Sequence, residues 1–167
     1  GHEPIFVAVR SSATAEDSGD ASFAGQQETF VNMKGRVAVL EAVKKCWASL
    51  FTARAIYYRV KNNFPHDKVL IAVVIQKMIN SEKSGVIFTA NPSTNNLNEI
   101  IIEAGFGLGD AIVSGAITPD NYIIDKNNLK IKNKKINNQE WMFVRDENIG
   151  RTIKKKLYDK SKEQKLT

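Results

Sequence analysis

Apolar and polar positions follow two different periods along this chain. "IFVAVR", from Ile5 to Arg10, is a short run rich in β-branched residues and reads as a buried strand that ends on an arginine. From Gly35 to about Lys61, Val39, Leu40, Val43, Trp47, Leu50, Phe51 and Tyr58 recur at helical spacing. That predicts one long helix, or two broken near Thr52. "NNFPHD" marks a loop by its Asn, Pro and Asp content. Val69 to Met78, "VLIAVVIQKM", is apolar almost without interruption and predicts a strand covered on both faces. "SGVIFTA" and "NEIIIEAG" predict two further strands around "NPSTNNLN". After "GFGLGDAIVSG" come "NYIIDK", "LKIKNKKI" and "EWMFVR", the first two joined through "NN" as a hairpin. Residues 145 to 167 hold little apolar content and are expected to be irregular. A strand, then helices, then several strands without repeats predicts an α+β domain with a mostly antiparallel sheet and flanking helices.

Composition narrows the class. The chain has 167 residues, 43% of them hydrophobic, which suits one domain with a core and excludes a disordered chain. Cys46 is the one cysteine; it can form no internal disulfide and reads as a small core hydrophobe, which fits a reducing cytoplasm. No apolar run is long enough for a membrane-spanning helix, and the N-terminal residues lack a signal-peptide layout, so no membrane partner is expected. The net charge of +6 is unevenly placed. Residues 126 to 165 hold 13 basic against 5 acidic residues, a balance of +8, and residues 1 to 125 hold 11 against 13, a balance of −2. The basic stretch lacks aromatic residues at a stacking rhythm, so it reads as a solvated surface and no nucleic-acid partner is expected.

Candidate chemistry lies in three places. Glu99 and Glu103 are four apart in "NEIIIEAG", so on a strand they share a face. A carboxylate in an apolar strand needs compensation, which Mg²⁺ would supply, taking one or two carboxylates together with phosphate oxygens and water. An exposed strand-end Glu99 and a Glu103 paired with an arginine fit the spacing equally. Gly105, Gly107, Gly109 and Gly115 permit either a strand-to-helix turn or a phosphate cradle. Read from Gly107, a dinucleotide fingerprint would need glycine where Ile112 stands, and no Gly-Lys-Ser/Thr follows for a Walker loop. Arg10 offers a five-donor fork to phosphate oxygens, or a structural pair to Glu16 or Asp17. His2 and His66 are too few and too near loops or termini for a metal cluster, and no Ser/His/Asp set can be assembled.

Three long stretches, "VAVRSSATAEDSGDASFAGQQETF", "FTANPST" and "EAGFGLGDAIVSGAITPDNYIIDK", occur in an order that resembles the ATP-binding domain of the phosphoenolpyruvate synthase and pyruvate phosphate dikinase family. The likeness covers residues 4 to 145 and is strongest to the phosphoenolpyruvate synthases; the basic segment 146–167 matches loosely and is expected to be loosely structured. The resemblance implies a partial ATP-grasp domain over residues 1–145, with ATP and Mg²⁺ as ligands. It implies that Gln76, Lys77, Met78 and Ile79 hold the adenine through backbone groups and that Arg10 contacts phosphates as the catalytic cation. It further implies that Glu99 and Glu103 form the Mg²⁺ and phosphate site. Asp110 stands where most of the family carries Glu, a nucleotide ligand on a shorter arm. The small residues after Arg10, with Gly19 and Gly25, would form a loop closing over phosphates, or one tied down by Gln26, Gln27 and Thr29.

By the same resemblance, Mg-ATP phosphorylates a carrier histidine and then pyruvate, giving phosphoenolpyruvate, AMP and phosphate. Neither His2 nor His66 matches the family's carrier motif. The chain is therefore expected to be a piece of a larger enzyme, partnered by a phosphohistidine domain and a pyruvate-binding domain and inactive alone. Two other readings stay open, the ATP-binding part of a rifampicin phosphotransferase and a non-catalytic nucleotide-binding module. A homodimer through exposed strand edges also stays open.

Overall fold

A computed structural model describes residues 3–13, 17–18, 21–22 and 28–166. Glu16, Gly19, Gly25, Gln26, Gln27 and His2 fall outside the described residues, and with them most of the closing loop expected after Arg10. The chain divides into two units, Gly1–Ile79 and Asn80–Thr167.

In the N-terminal unit β1 (Phe6–Ala13) is followed by two short paired strands, β2 (Asp17–Ser18) and β3 (Ala21–Ser22), and then by β4 (Thr29–Lys34). β4 and β5 (Ile71–Lys77) flank β1, both antiparallel to it. The β1–β4 register slips between Val7 and Val9, and Asn32 takes a left-handed φ of 58° opposite the slip. That conformation suits Asn better than most residues and marks a bulge. Helix α1 (Arg36–Ala48), a 3-10 turn (Ser49–Phe51) and α2 (Ala53–Lys61) follow β4. The helical pattern breaks at Thr52, whose extended backbone stops one helix while its Oγ1 accepts the Ala55 N–H at 3.3 Å and starts the next. Ala42 and Cys46 of α1 pack on Val7 and Val9, with Phe30, Met33, Val39, Val43 and Val73 around them. Cys46 is the core hydrophobe expected; burial, with Glu28 nearby, pushes its thiol above the ordinary value.

β5 departs from the expectation of a strand covered on both faces. It is an edge strand, and Val74 and Ile75 are 47% and 54% exposed. A doubly covered strand needs a layer on each side, and among the described residues only α1 lies on this three-stranded sheet.

The C-terminal unit is a four-stranded antiparallel sheet in the order β6 (Lys83–Phe88), β7 (Glu99–Phe106), β8 (Asp120–Asp125), β9 (Ile131–Lys135). The "NN" turn between β8 and β9 is fixed by the Asp125 carboxylate, which accepts the Asn127 and Asn128 N–H groups at 2.9 and 3.3 Å. The glycine-rich segment after β7 is a strand-to-helix turn into the short α3 (Asp110–Val113). Gly107 sits at φ 86°, and a Cβ there would collide with the Phe143 carbonyl and lie 2.9 Å from the Met142 Cβ, so only glycine fits.

Residues 146–166 hold more regular structure than their composition suggests. β11 (Arg151–Lys156) pairs residue for residue with β10 (Trp141–Asp146), and a 3-10 turn (Tyr158–Lys162) follows. The segment is then anchored by a buried ion pair. Lys165 Nζ lies 2.9 Å from Asp120 Oδ1, and neither side chain is exposed to any extent. The other carboxylate oxygen accepts the Lys165 N–H at 2.9 Å and the Tyr122 hydroxyl at 3.2 Å. Few apolar residues are needed where one satisfied charge pair and the buried Leu157 hold the chain. Throughout, every assigned strand pair is antiparallel, in keeping with the α+β reading.

Candidate functional site

Val7 and Val9 face α1, so strand alternation puts Ala8, which is buried, and Arg10, which is exposed, on the opposite face of the N-terminal sheet. Gln76 pairs with Ala8 across β1 and β5 and shares that face. The Arg10 guanidinium donates to Gln76 Oε1 at 3.3 Å, a long bond between two exposed side chains and its one side-chain bond among the described residues. Glu16 lies outside the described residues, so the arginine's observed partner is a neutral amide. This arrangement keeps a full positive charge beside the edge strand.

The backbone of β5 completes this cluster. The Met78 N–H donates to the Phe6 carbonyl at 2.9 Å, so Met78 is turned toward β1. In an antiparallel ladder bonded and unbonded positions alternate, which turns the Lys77 N–H and C=O outward to the open edge. A donor and an acceptor from one residue are what a planar heterocycle with complementary edges would pair with. The structure thus brings together Arg10, Gln76, Lys77 and Met78; Ile79 follows at the strand's end, 74% exposed.

In the C-terminal unit the two strand glutamates have different states. Glu99 is buried, its Oε1 2.6 Å from Lys132 Nζ and its Oε2 accepting from Asn91 Nδ2 at 2.7 Å. Asn91 also caps its own loop, accepting the N–H groups of Ser93 and Thr94 at 3.0 and 3.4 Å, so Glu99 holds the "NPSTNN" loop to β7. Lys132 reaches it from the register shift in β9 between its partners for Ile123 and Ile124. Glu103 sits on the same face, half-buried between Val86 and Asn121, and among the described residues no group donates to its carboxylate. Neither the exposed strand-end Glu99 nor the arginine-paired Glu103 is found. Asp110 opens α3 with its side chain exposed. Among the described residues no three His, Cys, Asp or Glu side chains converge as a ready metal cluster. Asn91 and Lys132 decide which glutamate is available, and sequence reading passed over both. The Asn-Pro of "FTANPST" was a visible sign of a side-chain-capped turn, whereas Lys132 was one lysine among many.

Hydrogen bonds from Lys132 and then Asn91 hold the Glu99 carboxyl below its ordinary value of 4.5, and Glu99 holds Lys132 above 10.5. A lowered acid contributes stability above its unfolded value and loses it as pH falls through the folded one; a raised base contributes below its unfolded value and loses it as pH rises through the folded one. The pair is therefore fully in force between these two values. Glu99→Gln should lower the melting temperature by a constant amount from about pH 5 to 10 and by progressively less in more acid solution. Thermal melts at pH 3 and 7 check this; an equal difference at both would rule the charge pair out.

Residues 1–167 match the family described as pyruvate phosphate dikinase, AMP/ATP-binding domain. The chain belongs to that family. It is 60% identical over 151 residues to the phosphoenolpyruvate synthase of Pyrococcus furiosus, covering 90% of this chain and 18% of that protein. Probable phosphoenolpyruvate synthases of Archaeoglobus fulgidus and Methanocaldococcus jannaschii are 58% and 51% identical over 92% and 99% of the chain, which spans 20% and 14% of their lengths. This AMP/ATP-binding domain chain thus corresponds to a minor part of much longer relatives. No helix among the described residues is long and apolar enough to cross a membrane.

Proposed function

We propose that this chain is the ATP-binding portion of a phosphoenolpyruvate synthase of the ATP-grasp class, acting in the cytoplasm. The parent enzyme uses Mg-ATP to phosphorylate a carrier histidine on another domain and then pyruvate, giving phosphoenolpyruvate, AMP and phosphate. The observation that carries this reading is the 60% identity, over 90% of the chain, to a protein of that name. It favours pyruvate over rifampicin as the acceptor. In this reading the outward backbone groups of Lys77, with Gln76, Met78 and Ile79, take the adenine, and Arg10 binds phosphate oxygens.

Phosphoryl transfer needs positioning and charge stabilisation more than covalent help, and a guanidinium on the phosphate oxygens supplies charge stabilisation. Mg²⁺, when bound, neutralises charge on the phosphate oxygens. The half-buried Glu103 carboxylate, with no donor on it among the described residues, fits a hard cation completed by phosphate and water. Glu99 fits less well, because a cation there would have to displace Lys132 and Asn91. Asp110, exposed at the start of α3, remains a candidate nucleotide contact.

Phosphorus NMR of ATP with the full-length parent protein, with pyruvate in one sample and rifampicin in another, tests the reading. Phosphoenolpyruvate, AMP and phosphate are expected with pyruvate alone; a phosphorylated antibiotic, or intact ATP in both samples, would overturn it. In the same assay Glu103→Gln should lower turnover about 10²-fold, a typical loss for one charge-stabilising group, while Glu99→Gln should act mainly through stability.

A further inference from the structure

The C-terminal unit carries a second concave surface, built from residues that none of the roles above uses. A cavity of about 530 Å³ opens between residues 138–141, the end of β11 and the 3-10 turn beyond it. Its lining includes Glu140, Trp141, Lys154, Lys156, Tyr158 and Lys162. The walls are tied by the backbone. The Leu157 N–H donates to the Glu140 carbonyl at 2.9 Å, and the Gln139 N–H to the Ser161 carbonyl at 2.8 Å. Leu157 and Gln139 are buried, and the Gln139 side chain is bonded to both the N–H and the C=O of Phe106. The groove is thus formed before any ligand arrives, and little ordering opposes binding.

Its chemistry has two parts. Three lysines face one glutamate, so the local surplus is cationic. Lys154 Nζ lies 4.3 Å from the centre of the Trp141 ring, which sets a cation directly beside an aromatic face. Tyr158 takes a left-handed φ of 45°, an outlier for so bulky a residue, and the residue is 76% exposed at the rim instead of filling the core. Among the described residues no group bonds its hydroxyl. An apolar ligand would strand three ammonium groups, and a bare inorganic anion would leave the exposed Tyr158 side chain in water.

We propose that this groove binds a small organic phosphate that carries a flat ring, a nucleoside phosphate by class. The ring lies against Trp141 and Tyr158, and the phosphates meet Lys154, Lys156 and Lys162. It is a site separate in residues from the one proposed for catalysis, and it gives part of the +8 surplus in residues 126–165 a local use.

The chain has two tryptophans, so Trp47→Phe leaves Trp141 as the sole reporter. Titration of that chain with ADP should change its emission saturably, and inorganic pyrophosphate should bind about tenfold more weakly, the share a stacked base contributes. Lys154→Ala combined with Lys162→Ala should weaken ADP at least about tenfold through lost charge-assisted contacts. Tyr158→Gly, which relieves the backbone, should hold or raise the melting temperature and still weaken ADP. Arg10→Ala should leave the titration unchanged. An emission change abolished by Arg10→Ala, one indifferent to the lysine and tyrosine substitutions, or none at all would each overturn the proposal.

Discussion

Lys165→Ala is expected to lower the stability of the C-terminal unit by about 3–5 kcal/mol, the usual cost of removing one partner of a buried ion pair. The reason lies with what remains. Asp120 is fully buried, and its carboxylate was satisfied by the Lys165 ammonium and N–H, the Asn137 N–H and the Tyr122 hydroxyl. Without the ammonium the buried carboxylate has lost its main compensation. The loss extends beyond electrostatics, because Lys165 Nζ also lies 5.6 Å from the centre of the Phe106 ring and donates to the Asn137 carbonyl. Denaturant titration of wild type, Lys165→Ala, Asp120→Asn and the double variant separates these contributions. The double variant should lose much less than the sum of the singles, since neither partner is left charged and alone. A Lys165→Ala protein within about 0.5 kcal/mol of wild type, the range of an ordinary surface change, would show that the pair holds nothing.

Arg10→Ala should do the reverse, leaving stability nearly untouched and removing activity. The side chain is exposed and makes one 3.3 Å bond to Gln76, so the melting temperature should move little. In the full-length enzyme, kcat/KM for ATP should fall by about 10²–10³, the range for losing one preorganised donor to developing phosphate charge. Arg10→Lys should recover only part of this, since a point charge replaces a planar fork. Steady-state kinetics at several ATP concentrations, with a thermal melt of each variant, give both readouts. An unchanged kcat/KM would return Arg10 to a surface role and favour the non-catalytic reading of the domain.

Much of this fold was legible in local pattern. The helix broken at Thr52, the hairpin at Asn127 and Asn128 and the turn after β7 each depend on residues adjacent in sequence. What escaped depended on partners far along the chain. Nothing in "VLIAVVIQKM" reveals that β5 lies at an edge, because that is a property of how many strands join the sheet. Glu99 and Glu103 look alike in "NEIIIEAG", and only Asn91 and Lys132, brought in from a loop and from β9, distinguish them. The ordered end of the chain was hidden for the same reason. Its stability comes from Asp120, 45 residues earlier, not from its own composition. Of the candidate site, Arg10 could be read directly from the end of a strand, whereas its nearness to Gln76 required the β1–β5 pairing.

The Asp120–Lys165 pair also has a consequence for biosynthesis. A chain emerging from the ribosome delivers β6, β7 and β8 early, and their hairpin pairings can form at once. Asp120 then waits without its ammonium partner, which lies 45 positions later in the chain. Burying it without that partner is costly, so this pocket is expected to close only after Lys165 has left the ribosome.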